Sequence, residues 1–275
     1  AKIVKLDYSG SKRAWRDKVM VQVSMHKFEP VPGGYQHAAN LLQPAIRIKR
    51  VDMHEVTPPI RLHAPFTPDQ KRLYDALRRD LRAQVSEGGG HIDAVHEGVL
   101  RLKLIQIACG AVYDGERIAH RIEASPRLQL LREVVEQAPG KVLIFAPFTS
   151  TLSVLYDALG DWSRAVVNGQ VSLKARSKIF KDFQGATDPH AIIADAGTMS
   201  HGLTLTRAQT IIWFGPVDKT ETYLQANARI NRPGQLHTTF CVQISSCKEE
   251  NIIYDRLQNN ENLQGAMLSM MENGI

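Results

Sequence analysis

Val142-Leu-Ile-Phe-Ala146 begins an alternation of short apolar runs and amphipathic stretches in the second half of the chain. A continuous apolar run of this length is typical of a strand that is covered on both faces. Further strands are predicted at Ala165–Asn168, Ala191–Asp195, Thr210–Phe214 and Thr239–Ile244. Strands that alternate with helices pair in parallel through crossover connections. We therefore predict an α/β fold with a parallel sheet flanked by helices.

Two helices between these strands show a clear apolar periodicity. After the cap candidates Thr149 and Ser150, apolar residues recur at helical spacing, namely Leu152, Leu155, Tyr156 and Leu159. Ser172 is expected to cap the second helix. The buried stripe predicted for that helix is Ala175, Ile179, Phe180 and Phe183.

The sequence before this alternation predicts mostly helices. Thr67–Val85 has Pro68 at its first helical position, and Val99–Ala108 and Ser125–Gln137 also have helical patterns. Residues 1–59 are rich in Pro, Gly and basic residues, and end in Val56-Thr-Pro-Pro59. We therefore divide the chain into residues 1–59 and residues 60–275, with a helical segment over 60–138 at the start of the second part.

Composition limits the class of protein. With 275 residues and 43% hydrophobic residues, the chain can bury one large core or two smaller ones. It contains no run of about 20 apolar residues that could cross a membrane, so no membrane partner is expected. The odd number of cysteines, Cys109, Cys241 and Cys247, favours a reducing compartment, and we expect a cytoplasmic protein. The net charge of +6 is compatible with a polyanionic partner.

The most informative segment is Gln225-Ala-Asn-Ala-Arg229-Ile-Asn-Arg232-Pro-Gly-Gln235. Gln225, Arg229 and Arg232 are spaced i, i+4 and i+7, which would place all three on one face of a helix ended by Pro233-Gly234. An arginine pair on a helix is by itself more often a solvated face than a binding site. The neighbouring residues are what make this segment distinctive.

The whole string resembles motif VI of superfamily 2 helicases, in the QxxxRxxRxGQ form of the Swi/Snf-like branch. Other segments resemble further landmarks of that family over roughly residues 40 to 260. Lys141–Ser150 resembles motif IV, and Ala194–Leu205 resembles motif V. The helices of Thr67–Tyr74 and Leu100–Cys109 resemble those that open the second half of Swi/Snf-like motors, and phage or prophage members look most similar.

The resemblance implies a RecA-like lobe over residues 60–275, and it makes residues 1–59 the tail of a first lobe and the interlobe connector. It implies the C-terminal motor lobe of an ATP-dependent DNA helicase or translocase, in a bacterial or phage-infected cell. The chain has no GxxxxGK[ST] motif, so the P-loop lobe is expected as a partner. ATP and Mg²⁺ would then belong to the two-lobe protein, and neither is expected to bind this chain alone.

In that family the two motif VI arginines reach the nucleotide phosphates, so the resemblance makes Arg229 and Arg232 catalytic, with Arg232 as the arginine finger. Phosphoryl transfer spreads negative charge that a planar guanidinium can neutralise. Gln225 and Gly202 are expected as further nucleotide contacts. We expect both guanidiniums to face the crevice at the carboxyl ends of the strands.

The resemblance also implies contacts with the DNA backbone. Thr149 and Ser150 would present a helix N-terminus to a phosphate, and Thr198 and Ser200 belong to the loop that resembles motif V. Lys174 and Lys178 make the helix after Ser172 basic, and a DNA track and a solvated face are equally compatible with that pattern. Met199-Ser200 and Thr204 stand where the family usually has paired glycines and an asparagine, which weakens the case for specific contacts there.

No metal site is predicted, because His91 and His96 do not have the i, i+4 spacing of a helical metal pair. The competing hypothesis from another class is a non-catalytic DNA-binding module with the shape of a helicase lobe. Tight, salt-sensitive DNA binding that needs no partner lobe would distinguish it from a motor.

Overall fold

The apolar runs form one six-stranded sheet in the computed structural model, which describes residues 12–24, 27–34, 36–37, 57–87, 94–116, 118–160, 162, 165–185, 188–199 and 204–259. The contacts divide the chain into two compact units. One comprises Ala1–Val51 with Gln258–Ile275, and the other comprises Asp52–Leu257. The sheet lies in the second unit.

The first unit contains α1 (Lys12–Val19) and an antiparallel pair of strands, β1 (Met20–Ser24) and β2 (Lys27–Pro30). The second unit begins with β3 (Ile60–His63), α2 (Pro68–Glu87) and α3 (Ala94–Ala108), followed by the small hairpin of β4 (Ala111–Tyr113) and β5 (Ala119–Arg121).

The alternating part of the chain follows. In chain order it contains α4 (Ser125–Gln137), β6 (Lys141–Ala146), α5 (Thr149–Ala158), β7 (Ala165–Val167), α6 (Leu173–Gly185), β8 (Ala191–Asp195), β9 (Ala208–Trp213), α7 (Thr220–Asn227) and β10 (Phe240–Ser245). The helical residues 248–259 are called α8.

The strand order is β3-β10-β9-β6-β8-β7, and every pairing within this sheet is parallel. All five strands expected from the apolar runs are present, so the predicted α/β fold with a RecA-like parallel sheet is confirmed. The central strands are buried on both faces, and Val142, Ile144 and Ile212 have no exposed surface. This burial explains why their sequences are continuously apolar.

The sheet contains a sixth strand that the sequence analysis assigned to the helical segment 60–138. Val242 of β10 pairs with Ile60 of β3, which makes β3 an edge strand. The prediction was wrong there, and it also missed the β4–β5 hairpin. Each of these strands spans only three or four residues, which is too short for a period of two to stand out in the sequence.

Two predicted helix starts have different outcomes. Ser172 caps α6 as expected, since its Oγ accepts a hydrogen bond from Ala175 N at 3.3 Å. Thr149 and Ser150 do not cap α5, because Phe148 occupies the N-cap position and makes no side-chain cap bond. In α6, Phe180 and Phe183 are buried as predicted. Ala175 is exposed, so that part of the predicted stripe was wrong.

A capping box begins α2 and attaches it to α3. Thr67 Oγ1 accepts a hydrogen bond from Gln70 N, and Gln70 Oε1 accepts one from Thr67 N, each at 3.2 Å. The Gln70 amide also donates to Ile107 O at 2.8 Å. One side chain therefore fixes the start of α2 and its position against α3.

Within the described part of the chain, no helix is both long and apolar enough to cross a bilayer.

Candidate functional site

The arginine-bearing segment begins in α7 and continues beyond it. Gln225 lies in the last turn of α7 and donates a hydrogen bond to Glu221 Oε1 at 2.9 Å. The helix ends at Asn227, so Arg229 and Arg232 lie in the turns that follow. The expectation that one helix face carries all three residues was therefore wrong.

Both arginines lie near the amino end of β9. The backbone oxygen of Arg229 accepts a hydrogen bond from Leu205 N at 3.0 Å, three residues before β9 begins. The side chain of Gln235 donates to the carbonyl oxygen of Ala208, the first residue of β9, also at 3.0 Å. The predicted position at the carboxyl ends of the strands was wrong. The physical reason is that α7 leads the chain back along the sheet after β9 has reached the carboxyl edge.

The two arginines differ in burial and repel each other electrostatically. Arg229 is buried, with 3% of its surface exposed, and Arg232 is half-buried. Burial lowers the pKa of Arg229, and the nearby positive charge of Arg232 lowers it further. Arg232 donates through Nε to Ala228 O at 3.2 Å and through Nη1 to Thr204 Oγ1 at 3.3 Å. The structure thus places two like charges together in a partly desolvated position.

The amino end of α5 lies at the opposite edge of the sheet, directly after the carboxyl end of β6. Thr149 is exposed and Ser150 is buried. Within the described part of the chain, the buried hydroxyls of Ser150 and Thr151 have no hydrogen-bond partner. No side chain caps this helix, and Thr151 N donates to Phe148 O at 3.1 Å, so the N–H groups of Thr149 and Ser150 are the ones that an anion could use.

The loop after β8 lies beside this helix end, since Ala146 of β6 pairs with Asp195 of β8. In that loop, Thr198 Oγ1 donates to Asp195 O at 2.8 Å. Ser200 and Gly202, the other residues predicted in this loop, lie outside the described residues. Lys174 and Lys178 are exposed on α6.

The predicted site residues therefore fall into two groups. Thr149, Ser150 and Thr198 come together at the carboxyl edge, whereas Arg229 and Arg232 lie at the amino end of β9. The six-residue strand β9 separates these edges by roughly 15–20 Å, at about 3.3 Å per residue.

Two further residues, Gln235 and Thr204, contact the turns that contain Arg229 and Arg232. Gln235 holds the turn through its bonds to Ala208 O and Ile230 O, each at 3.0 Å. Thr204 accepts the bond from Arg232 described above. The glutamine was visible as part of the quoted motif, but nothing in the local sequence indicated that Thr204 would contact Arg232.

Comparison with known proteins shows what this chain resembles. Residues 126–234 match the sequence model of the helicase conserved C-terminal domain. An uncharacterized ATP-dependent helicase of Mycoplasma genitalium is 25% identical over 200 residues, covering 71% of this chain and 19% of that protein. The lymphoid-specific helicase of Homo sapiens is 35% identical over 99 residues, covering 34% of this chain and 12% of that protein. The chain thus spans about a fifth or less of these relatives.

Solved structures show the same fold. The C-terminal part of the Fun30 ATPase domain has a TM-score of 0.57 at 16% identity, covering 72% of this chain and 89% of that one. The Sulfolobus solfataricus SWI2/SNF2 ATPase core in complex with dsDNA has a TM-score of 0.54 at 20% identity, covering 79% and 48%. Over residues 126–234 this chain is similar in sequence to the helicase conserved C-terminal domain, and over most of its length it is similar in fold to structures of the Fun30 and SWI2/SNF2 ATPases.

Proposed function

We propose that this chain is the C-terminal motor lobe of an ATP-dependent DNA helicase or translocase. It would act with a P-loop lobe that binds most of the nucleotide, and ATP with Mg²⁺ would occupy the cleft between the two. The match to the helicase C-terminal domain supports the class of protein.

The observation that carries the proposal is the placement of Arg229 beside Arg232. Bringing two positive charges together where one is buried raises the free energy of the charged pair. An anion placed between the guanidiniums would offset this cost. Nucleotide phosphates are such an anion, and the charge that spreads over the transferring phosphoryl group would be stabilised further by a bidentate guanidinium.

DNA would bind at the opposite edge of the sheet. The uncapped amino end of α5 offers N–H groups and the positive end of a helix dipole. Thr149 and Ser150 lie in its first turn, and Thr198 lies in the neighbouring loop after β8. Lys174 and Lys178 would extend this surface along α6. A double-stranded partner is proposed because one structural neighbour is described in complex with dsDNA.

The separation of these two surfaces gives a direct test in the two-lobe protein. Arg232→Ala should lower DNA-stimulated ATP turnover by about a thousandfold or more, the usual contribution of an arginine finger, and should leave the Kd for DNA within about twofold. A variant that retains most of its turnover would refute the role of Arg232.

The isolated chain provides the complementary test. We expect ATP hydrolysis at background level at any DNA concentration, because the P-loop residues that bind most of the nucleotide would lie in the partner lobe. Robust turnover by this chain alone would overturn the two-lobe proposal. Tight, salt-sensitive DNA binding together with a two-lobe protein that is insensitive to Arg232→Ala would favour a non-catalytic DNA-binding module.

We also propose a bacterial or phage-infected cytoplasm as the setting. Support comes from the three cysteines, which are all buried thiols in the structure. Such thiols are typical of proteins that fold in reducing compartments.

A further inference from the structure

The chain segment Thr204–Ala208 lies between α6 and the arginine turns. On one side, its Leu205 N donates to Arg229 O, and its Ala208 O accepts from the side chain of Gln235. On the other side, its backbone is bonded to Gln184, in the last turn of α6. The position of this segment therefore depends on contacts with both elements.

Gln184 binds the segment at two points. Its Nε2 donates to Thr204 O at 3.1 Å, and its Oε1 accepts a hydrogen bond from Arg207 N at 3.1 Å. The backbone oxygen of Gln184 accepts a third bond, from Arg207 Nε at 3.2 Å. One amide side chain thus satisfies a carbonyl and an N–H three residues apart, which fixes the path of the backbone between them.

Thr204 carries this constraint to Arg232. Its carbonyl is held by Gln184, while its hydroxyl accepts a hydrogen bond from Arg232 Nη1 at 3.3 Å. Arg232 Nε donates a second hydrogen bond, to Ala228 O at 3.2 Å. Two hydrogen bonds therefore restrain the orientation of the guanidinium. Displacing the backbone of Thr204 would remove one of these two restraints.

We propose that Gln184 is a positioning residue for Arg232 and acts through Thr204. The proposal rests on the function given above, in which Arg232 stabilises the transferring phosphoryl group. Gln184 would touch neither nucleotide nor DNA. It would raise the fraction of Arg232 side chains that are oriented toward the transferring phosphoryl group, and the rate of the chemical step depends on that orientation.

The test compares variants of Gln184 and Thr204 in the two-lobe protein by DNA-stimulated ATP turnover. Gln184→Ala removes both side-chain bonds, and Gln184→Glu keeps an acceptor for Arg207 N but loses the donor to Thr204 O. Thr204→Val removes the hydroxyl that Arg232 uses, and Thr204→Ser retains it. Gln129→Ala is the control, because Gln129 is likewise a helical glutamine, and its side chain donates to Glu133 Oε1 at 3.0 Å within α4.

We expect Gln184→Ala, Gln184→Glu and Thr204→Val to lower kcat about threefold to tenfold, the usual effect of losing one positioning hydrogen bond. The KM for ATP and the Kd for DNA should stay within about twofold. Thr204→Ser and Gln129→Ala should match the parent. The double variant Gln184→Ala with Thr204→Val should be no slower than the slower single variant. Both changes disrupt the same series of contacts, from Gln184 through Thr204 to Arg232.

Three outcomes would overturn the proposal. Gln184→Glu could keep full turnover, which would mean that only the bond to Arg207 matters. The effects of Gln184→Ala and Thr204→Val on kcat could multiply, which would mean that the two residues act independently of each other. Gln184→Ala could also keep full turnover while Arg232→Ala abolishes it, which would refute the role of Gln184 and leave the proposed function of Arg232 unaffected. If Arg232→Ala itself keeps turnover, the proposed function fails first. Thermal unfolding would show whether Gln184→Ala misfolds, and in that case Thr204→Val against Thr204→Ser decides.

Discussion

Arg127 and Glu250 form an ion pair inside the fold, with 2.7 Å between Nη2 and Oε1 and at most 1% of either side chain exposed. Arg127 lies in the first turn of α4, and Glu250 lies in α8. The guanidinium also donates to Ile244 O at 3.0 Å and to Phe214 O, at the carboxyl ends of β10 and β9. This pair therefore joins two helices to the end of the sheet that would face DNA.

Breaking this pair should destabilise the protein strongly. Glu250→Gln would leave a buried guanidinium without its counter-charge, and we expect the free energy of unfolding to fall by about 3–5 kcal/mol. Urea unfolding followed by circular dichroism would measure it. The control is Asp157→Asn, which breaks the exposed pair with Arg121 and should cost at most about 1 kcal/mol. Equal losses in the two variants would contradict the assigned importance of burial.

A negative charge at the amino end of α5 should separate stability from DNA binding. Thr149→Asp adds a carboxylate at the positive end of the helix dipole, so we expect a gain of about 0.3–1 kcal/mol in stability. The same charge would repel a phosphate, so DNA binding should weaken about tenfold, measured by fluorescence anisotropy at fixed salt.

Thr149→Asn is the control for this change, because asparagine has the size of aspartate without its charge. DNA binding by this variant should weaken less than binding by Thr149→Asp. Tight binding by Thr149→Asp would place DNA elsewhere on the lobe.

The exposed lysines of α6 can be tested through the salt dependence of binding. If Lys174 and Lys178 each neutralise a DNA phosphate, the double change to Gln should reduce the slope of log K against log salt by about two. Lys71→Gln is a control, because Lys71 pairs with Asp75 on α2 at 2.8 Å. An unchanged slope in the double variant would show that these lysines form only a solvated face.

Alkaline pH should destabilise the fold through its buried thiols. Burial, reinforced by the negative charge of Glu250 and opposed by Arg127, raises the pKa of Cys109 from 9.0 to about 12. An unfolded thiol loses its proton near pH 9 while the folded one keeps it. The stabilising contribution is therefore complete below about pH 9 and is lost as pH rises toward 12.

Urea unfolding at pH 8 and at pH 10.5 would detect this loss. Cys109→Ala, compared with itself between the same two values, should lose less stability than the parent. A parent and a variant with identical pH dependence would show that Cys109 does not contribute. Cys247 adds to the effect in the parent, since burial also raises the pKa of its thiol.

The sequence determined which segments become strands and helices in the alternating half of the chain. The helix Ser125–Gln137 has the predicted bounds, and the apolar run from Val142 to Ala146 lies within β6. Ser172 caps α6 as predicted. These features follow from interactions between residues that are close in sequence, namely apolar periodicity and capping, so their signal is complete in a short window.

Tertiary structure decided where the functional groups lie. The spacing of Arg229 and Arg232 was visible in the sequence, but their position at the amino end of β9 depends on how α7 leads the chain back along the sheet. The burial of Arg127 and the contact of Gln184 with Thr204 join residues far apart in the chain. Such contacts arise from how the elements pack together, and a local pattern contains no information about a partner that folding alone brings near.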